Sequence, residues 1–407
     1  MNRMTALAVA VLLITLTQPA GPGGHPATAA TIAANGTEVA SAEIFTDNSV
    51  VVAGTRGTAI VVGKYDSHGR LVAGHDGRGG YGTGGFATID SPGAGTAAAI
   101  AVENTGNGTS GAAAVAGTVD GDVLLARLTK EGQPDPAFNS TGYVRADLGG
   151  DDTAAGVAIT PAGALLLLAT SGDDIVLTKY TRRGRLDTAF GNHGKAVLNT
   201  GGKDTAAAFA QRPDGKLVVV GTSTDRTAVP ALVLALFTPS GQLDKHFAGG
   251  TGYLRESGPQ APRSGPVVVL DDAQDAIVAG TRNGDFVATR YHPDGTRDTR
   301  FGTTGEATTH LDAPATATAV NVHGDSIYIA GTTTGSTTRA AVTRLTSRGR
   351  PSPHFGDNGT TTLGYHGTIA AVLPTTAGMP ILSGSKDGAP ALLRLTTTGT
   401  LDARYPR

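Results

Sequence analysis

Aspartates in short, glycine-containing loops are the residues of this sequence whose type and spacing could do chemistry. Four of them form two adjacent pairs, Asp151-Asp152 and Asp173-Asp174. Adjacent carboxylates raise one another's pKa, which is one route to a general acid, and clustered carboxylate oxygens are also ligands that Ca²⁺ prefers. The acidic candidates for a binding site are Asp120, Asp122, Asp151, Asp152, Asp173, Asp174 and Asp204.

Motifs that would specify one chemistry are missing from the sequence. The acidic loops lack the D-x-[DN]-x-[DN]-G spacing of a dedicated calcium loop, and neither H-E-x-x-H nor a G-x-S-x-G elbow occurs. The chain has no cysteine, which excludes disulfides, thiolate metal sites and a cysteine nucleophile. We therefore expect no catalytic residue, no metal site and no cofactor. Solvated charge is the first interpretation of the acidic loops, with calcium as the open alternative.

A block that recurs seven times must position these loops. Each copy ends on an aromatic residue, and successive closing aromatics lie 50 to 57 residues apart. A turn glycine before each aromatic gives a second series, from Gly69 to Gly399, in the same register. Such self-similarity is the signature of a repeat architecture. The closing aromatics are Tyr81, Phe138, Phe190, Phe247, Phe301, Phe355 and Tyr405.

Each copy divides into four short strand candidates, which in the third copy are residues 154–160, 164–169, 175–180 and 195–199. Glycine-containing turn signals separate them, and the chain is rich in glycine and in small or β-branched residues, which suit turns and tightly packed sheets. Four strands repeated seven times predict an all-β fold, a seven-bladed β-propeller of four-stranded antiparallel blades. An open β-solenoid is the alternative, although its coils are usually shorter.

The N-terminus has the layout of a secretory signal peptide. A short cationic start precedes an apolar run from Ala6 to Leu16, which is too short to span a bilayer, and then Pro, Gly and small residues. We assign residues 1–20 to the leader, with cleavage as late as residue 30, and residues 21–407 to one propeller. Because the last copy lacks a fourth strand, residues 27–33 are expected to complete it and to close the ring.

Acidic and basic residues occur in different sets of loops. The acidic loops and the connections between blades share one face of the predicted propeller, whereas the loops between third and fourth strands carry Lys and Arg on the other. A cation that recurs on the third strand, such as Arg127 or Arg290, is interpreted as part of blade construction. We expect it to pair with a recurrent aspartate three residues before the closing aromatic, at Asp135, Asp187, Asp244, Asp298 and Asp402. The formal net charge of −2 provides no basic field for nucleic acid.

The copies carry a recognisable signature. Close matches occur at Pro213 to Lys216, at Arg290 to Gly295 and from Leu186 to Gly194, and they resemble the delta-60 repeat, a bacterial β-propeller-type repeat. Its unit runs P-D-G-K-hydrophobic-A-G, then R-Y-x-x-D-G-x-L-D-x-x-F-G-x-x-G. The first copy departs by an insertion before Tyr81, and the fourth has Leu236 in place of the cation. The resemblance covers nearly the whole chain after the leader and implies the fold, but it brings no agreed activity or catalytic residues.

These patterns lead to three hypotheses about function. The first is a secreted, non-catalytic binding or scaffold protein that presents a propeller face to an extracellular protein, cell-wall polymer or small ligand. The second is an extracellular lyase or glycan-active hydrolase with its site at the acidic mouth of the propeller. The third is a blade array that serves only as a spacer. We favour the first, with an extracellular protein or polysaccharide as partner. We expect a monomer without nucleic-acid binding or stable membrane insertion.

Overall fold

Seven four-stranded antiparallel sheets surround a central axis, which confirms the predicted propeller. The computed structural model describes residues 9–10, 30–31, 37–74, 79–90, 93–104, 110–225, 229–257, 264–387 and 389–405. The strands of each blade are given from the axis outward. Blades 1 to 3 consist of Thr37–Ile44, Val50–Arg56, Ala59–Tyr65 and Phe86–Ile89 (blade 1); Gly95–Asn104, Ser110–Val119, Asp122–Leu128 and Tyr143–Ala146 (blade 2); and Asp152–Ile159, Leu165–Ser171, Asp174–Tyr180 and Lys195–Leu198 (blade 3). Blades 4 to 7 consist of Lys203–Gln211, Leu217–Thr224, Pro230–Phe237 and Tyr253–Glu256 (blade 4); Ser264–Leu270, Ala276–Arg282, Asp285–Tyr291 and Glu306–Thr309 (blade 5); Ala315–His323, Ser326–Thr334, Thr338–Thr346 and Thr360–His366 (blade 6); and Ile369–Leu373, Ile381–Lys386, Ala389–Arg394 and Ala30–Thr31 (blade 7).

The inner strands of each blade are apolar on both faces because each blade packs between two neighbours. The third strand of blade 4, Pro230–Phe237, is buried at every position after its first. Strands covered on both faces read as continuous hydrophobic runs instead of alternating patterns. A short 3₁₀ turn, Ala248–Gly250, is the one helical element in the described residues. The described part of the chain contains no helix with the length and hydropathy of a membrane span.

The closing aromatics and the turn glycines meet across blade boundaries. All seven aromatics are buried, and a side chain added at Gly241 of blade 4 would lie 3.0 Å from the Phe190 ring of blade 3. The residue after the aromatic also donates its N–H to the neighbouring blade, as from Gly191 to the carbonyl of Ser240 at 2.7 Å. The two series therefore mark the two halves of one inter-blade contact.

The recurrent cations pair with the recurrent aspartates in blades 2, 3, 5 and 7. Arg290 and Asp298 form an ion pair at 2.6 Å, and the Arg290 guanidinium lies 5.1 Å from the centre of the Phe301 ring. Blade 4 has Leu236 at the cation position, and there Lys216, directly before the second strand, reaches Asp244 at 2.8 Å. The pairing is retained although the cation comes from a different part of the blade.

An N-terminal strand completes blade 7, as the missing fourth strand of the last copy predicts. Ala30 pairs with Leu392 and Thr31 with Ala391, and the rest of residues 27–33 lies outside the described residues. Val9–Ala10 pair with Gln211 and Ala210 on the axial edge of blade 4, which gives that sheet a fifth strand. This pair lies within the assigned leader, and the other residues of 1–20 lie outside the described residues.

Candidate binding face

The predicted acidic residues gather at two boundaries on one face of the propeller. Because adjacent strands are antiparallel, the loop between the second and third strands lies on the same face as the connection to the next blade. At the first boundary, between blades 2 and 3, Asp122 and Asp152 lie with Asp147, and one carboxylate oxygen of each falls within 4.8 Å of the others. We name these three residues the first acidic junction.

Asp152 is the buried member of the first acidic junction. It is only 1% exposed, and its Oδ2 accepts a hydrogen bond from the N–H of Leu148 at 2.5 Å. Its Oδ1 is buried and has no hydrogen-bond partner in the described part of the chain. Arg145 donates to Asp122 Oδ2 at 2.7 Å, and the N–H of Gly149 donates to Asp147 Oδ1 at 2.7 Å. Each carboxylate of the junction thus accepts a hydrogen bond, but the second oxygen of Asp152 is buried and has no partner among the described residues.

The boundary between blades 3 and 4 repeats this arrangement with different chemistry. Asp204, fully buried, occupies the place of Asp152, and both of its oxygens accept hydrogen bonds from Thr200, from the N–H and from the hydroxyl, each at 2.6 Å. Asp174 occupies the place of Asp122, and its buried Oδ1 has no partner among the described residues. We name Asp174, Thr200 and Asp204 the second acidic junction.

The second acidic junction contains a carboxyl group with a perturbed pKa. Burial raises the pKa of Asp174, and the nearby negative charges of Asp204 and Asp173 raise it further. A carboxyl group that holds its proton more tightly than usual can donate a hydrogen bond at a pH where an ordinary aspartate cannot. This junction therefore brings a carboxyl group with a raised pKa close to the carboxyl group of Asp204.

Three of the predicted residues stay at the edge of these junctions. Asp151 and Asp173 are exposed, and their backbone carbonyls accept hydrogen bonds from Gly172 at 3.1 Å and from Asp204 at 2.9 Å. Asp120 accepts a hydrogen bond from the N–H of Ala94 at 3.0 Å and lies 3.7 Å from Arg145. Adjacent aspartates thus differ in burial, and the carboxylates that lie close together come from different loops.

A second feature, which the sequence patterns did not indicate, is the axial channel. The first strands of the seven blades enclose a cavity of about 160 Å³ that is lined mainly by alanine, with Thr318 and Asn321 among its polar groups. Glu43 is the titratable side chain among the described residues that line it. Glu43 is 3% exposed, and its Oε2 has no partner in the described part of the chain. Aligning the copies would have revealed it, because Ala101, Ala158 and Ala210 occupy the matching register positions.

Glu43→Gln is expected to remove a pH-dependent loss of stability. Burial raises the pKa of Glu43 well above its ordinary value of 4.5, so the folded chain keeps a proton that the unfolded chain releases. The stability contributed by this group is therefore complete below pH 4.5 and is lost as the pH rises through the raised pKa. Urea unfolding at pH 4 and pH 8 should show a gain of about 1 kcal/mol for the variant at pH 8 only. Identical pH profiles for the two proteins would contradict the assignment.

Comparison with known proteins agrees with the architecture. Residues 212–247, most of the fourth copy, match the family model of a β-propeller domain of unknown function, DUF5122. No curated protein sequence matches the chain.

Among similar solved structures is virginiamycin B lyase from Staphylococcus aureus with quinupristin, which has a TM-score of 0.54 and 14% identity over 91% of this chain and 98% of the lyase. A protein from Lactobacillus plantarum has a TM-score of 0.53 and 15% identity over 87% and 94% of the two chains. Puromycin hydrolase has a TM-score of 0.55 and 14% identity over 91% of this chain and 54% of the hydrolase. At such identities the likeness concerns the fold alone. The chain is a repeat protein that forms a seven-bladed β-propeller.

Proposed function

We propose that the chain is an exported, non-catalytic binding protein whose two acidic junctions form the contact surface for an extracellular protein or polysaccharide. The observation that carries the proposal is the pair of buried carboxylate oxygens without hydrogen-bond partners among the described residues, on Asp152 and Asp174, at adjacent blade boundaries of one face. An unsatisfied buried acceptor costs free energy, and a ligand that donates hydrogen bonds or brings a cation offsets that cost. The leader pattern of residues 1–20 supports export.

The test is retention of an extracellular fraction by the immobilised chain. The chain without residues 1–20 is incubated with cell-wall, polysaccharide and secreted-protein fractions, and the bound material is quantified. We expect specific retention of one fraction, reduced at least about tenfold by Asp122→Asn combined with Asp174→Asn, the cost of losing one or two charge-assisted hydrogen bonds.

Glu131→Gln is the matched control for this test. It replaces one carboxylate by an amide, as each substitution of the double variant does, but it lies on the opposite face, in the loop between the third and fourth strands of blade 2, where the Glu131 side chain is 55% exposed. Retention should be unchanged in this control. If no fraction is retained, or if both variants lose retention equally, the acidic junctions are not the contact surface.

The raised pKa of Asp174 favours one further candidate, an extracellular lyase or glycan-active hydrolase at the second acidic junction. A general acid works best when its pKa lies near the operating pH, and the pKa of Asp174 departs from its ordinary value in that direction. Turnover of a polysaccharide fraction that disappears in Asp174→Asn and persists in Glu131→Gln would support this candidate. Retention without turnover supports the binding protein.

A further inference from the structure

We propose that the first acidic junction is a Ca²⁺ site that joins blades 2 and 3. The ligands are the carboxylates of Asp122 and Asp147, which belong to the outer part of blade 2 and its connection, and of Asp152, which begins blade 3. This inference goes beyond the proposed function, because it concerns a metal bound by the protein alone.

The spacing of the three carboxylates fits a single cation. Ca²⁺–oxygen distances are about 2.3–2.6 Å, so ligands on opposite sides of one ion are separated by at most about 5 Å. The three ligand oxygens all lie within 4.8 Å of one another. An ion placed among them would lie at most about 2.8 Å from each oxygen, a distance that small side-chain rotations bring into the Ca²⁺–oxygen range.

The unsatisfied oxygen of Asp152 points to a missing positive partner. A buried carboxylate is expected to be paired, hydrogen-bonded or bound to a metal, because an isolated buried charge is costly. Asp152 is 1% exposed, and its Oδ1 has no partner among the described residues. A cation between Asp152 and its two acidic neighbours would supply one.

At the second acidic junction the protein itself supplies the partner that Asp152 lacks. There the hydroxyl of Thr200 donates to Asp204 Oδ1 at 2.6 Å and satisfies the oxygen that is free in Asp152. At the first junction the matching residue is Leu148, whose N–H is still bonded to the aspartate but whose side chain has no donor. In addition, Asn199 stands where the first junction has Asp147, and each amide or carboxylate oxygen accepts from a glycine two residues later. Compared with the second junction, the first therefore has an apolar side chain in place of a hydroxyl group and a carboxylate in place of an amide.

The donor set selects Ca²⁺ over other common ions. All three ligands are carboxylate oxygens, which favour hard cations over Zn²⁺, whose protein sites are built mainly from nitrogen and sulfur. Mg²⁺ demands near-ideal octahedral geometry, whereas Ca²⁺ accepts irregular sets completed by water. Arg145 occupies Asp122 Oδ2 at 2.7 Å and offsets one of the three negative charges. We therefore expect weak binding, in the range of about 0.1–1 mM typical of extracellular calcium modules.

Calorimetric titration of the metal-free chain with CaCl₂ tests the site directly. We expect one Ca²⁺ per chain, with an affinity lowered at least about tenfold in Asp147→Asn, an exposed position where the change leaves the packing intact. Leu148→Thr should have the same effect, because it introduces a hydroxyl donor like that of Thr200 without removing a carboxylate. Arg145→Gln should raise the affinity, since it removes the competing positive charge.

Glu131→Gln, on the opposite face, serves as control and should bind Ca²⁺ as the parent does. No binding up to about 10 mM CaCl₂, ten times the weak end of the expected range, would overturn the inference. So would equal affinities for Ca²⁺ and Mg²⁺, or an unchanged affinity in Asp147→Asn. Retention of the extracellular ligand in excess chelator separates the two proposals: if retention persists, the binding function stands without the metal.

Discussion

Gly191→Ala is expected to lower the free energy of unfolding by about 3 kcal/mol, a large effect for the addition of a single methyl group. Gly191 has a φ of +61°, where an L-residue is strained, and a Cβ at this position would lie 2.1 Å from the carbonyl oxygen of Lys195. The obstacle is backbone, so the loop itself must move. Since the N–H of Gly191 is bonded to Ser240 of blade 4, that movement loosens the boundary between two blades.

Gly57→Ala provides the matched control for this prediction. Gly57 has a nearly identical φ of +62°, but no atom lies within 4 Å of the position that a Cβ would take. Only the strain of the left-handed conformation remains, about 1–2 kcal/mol. Urea unfolding of both variants separates the clash from the strain. If both variants lost the same free energy of unfolding, the clash between the added Cβ and the Lys195 carbonyl would contribute nothing, which would contradict the prediction.

Arg127→Ala is expected to lower the free energy of unfolding by about 3 kcal/mol through the loss of a buried charge. The Arg127 side chain is 2% exposed and lies 2.6 Å from Glu103 and 3.0 Å from Asp135, both in blade 2. It also donates to the carbonyl of Gly163 in blade 3 at 3.2 Å. Removing it leaves Asp135 without this cation and Glu103 with the longer contact to Arg182 at 3.7 Å. The partial exposure of the two carboxylates, 25% and 19%, keeps the loss at the low end for buried pairs.

Lys130→Ala is the control for Arg127. Lys130 lies in the loop that follows the same strand, is 69% exposed and pairs with Glu131 at 3.5 Å. An exposed pair of this kind contributes little, so we expect a change within about 0.5 kcal/mol. Thermal and urea unfolding measure both. If Arg127→Ala is as mild as Lys130→Ala, the buried cation is not what joins blades 2 and 3.

Most of the fold could be predicted from the sequence because each copy repeats the same contacts. The predicted strand at residues 175–180 agrees with Asp174–Tyr180 to within one residue, and that at 195–199 agrees equally well with Lys195–Leu198. Phe190 and Gly241 could be recognised as landmarks because the same contact of an aromatic ring with a turn glycine recurs at other blade boundaries, as between Phe301 and Gly349. A constraint that recurs seven times is visible even when individual copies depart from the pattern.

The candidate site was predicted only in part, because it depends on departures from the repeat. Asp122 and Asp152 were identified from the loops, but Asp147 was not, since its loop bends back toward Asp152 in a way that the pattern does not encode. The repeat pattern also does not show that Leu148 and Thr200 occupy matching positions. Thr200 donates its hydroxyl to Asp204, whereas Leu148 offers Asp152 only its backbone N–H. Glu43 was missed because its environment is the channel, which no single copy contains.

The closing strand of blade 7 also sets the order in which this molecule can be assembled. Thr31 and its partner Ala391 are 360 residues apart, so the ring cannot close until almost the whole chain has been synthesised. Contacts of such sequence separation form late, because the entropy of closing a long loop must be overcome first. Until then the edge of Ala389–Arg394 presents unpaired backbone groups to other chains. The unfinished ring must therefore be kept from other chains for longer than any single blade takes to fold.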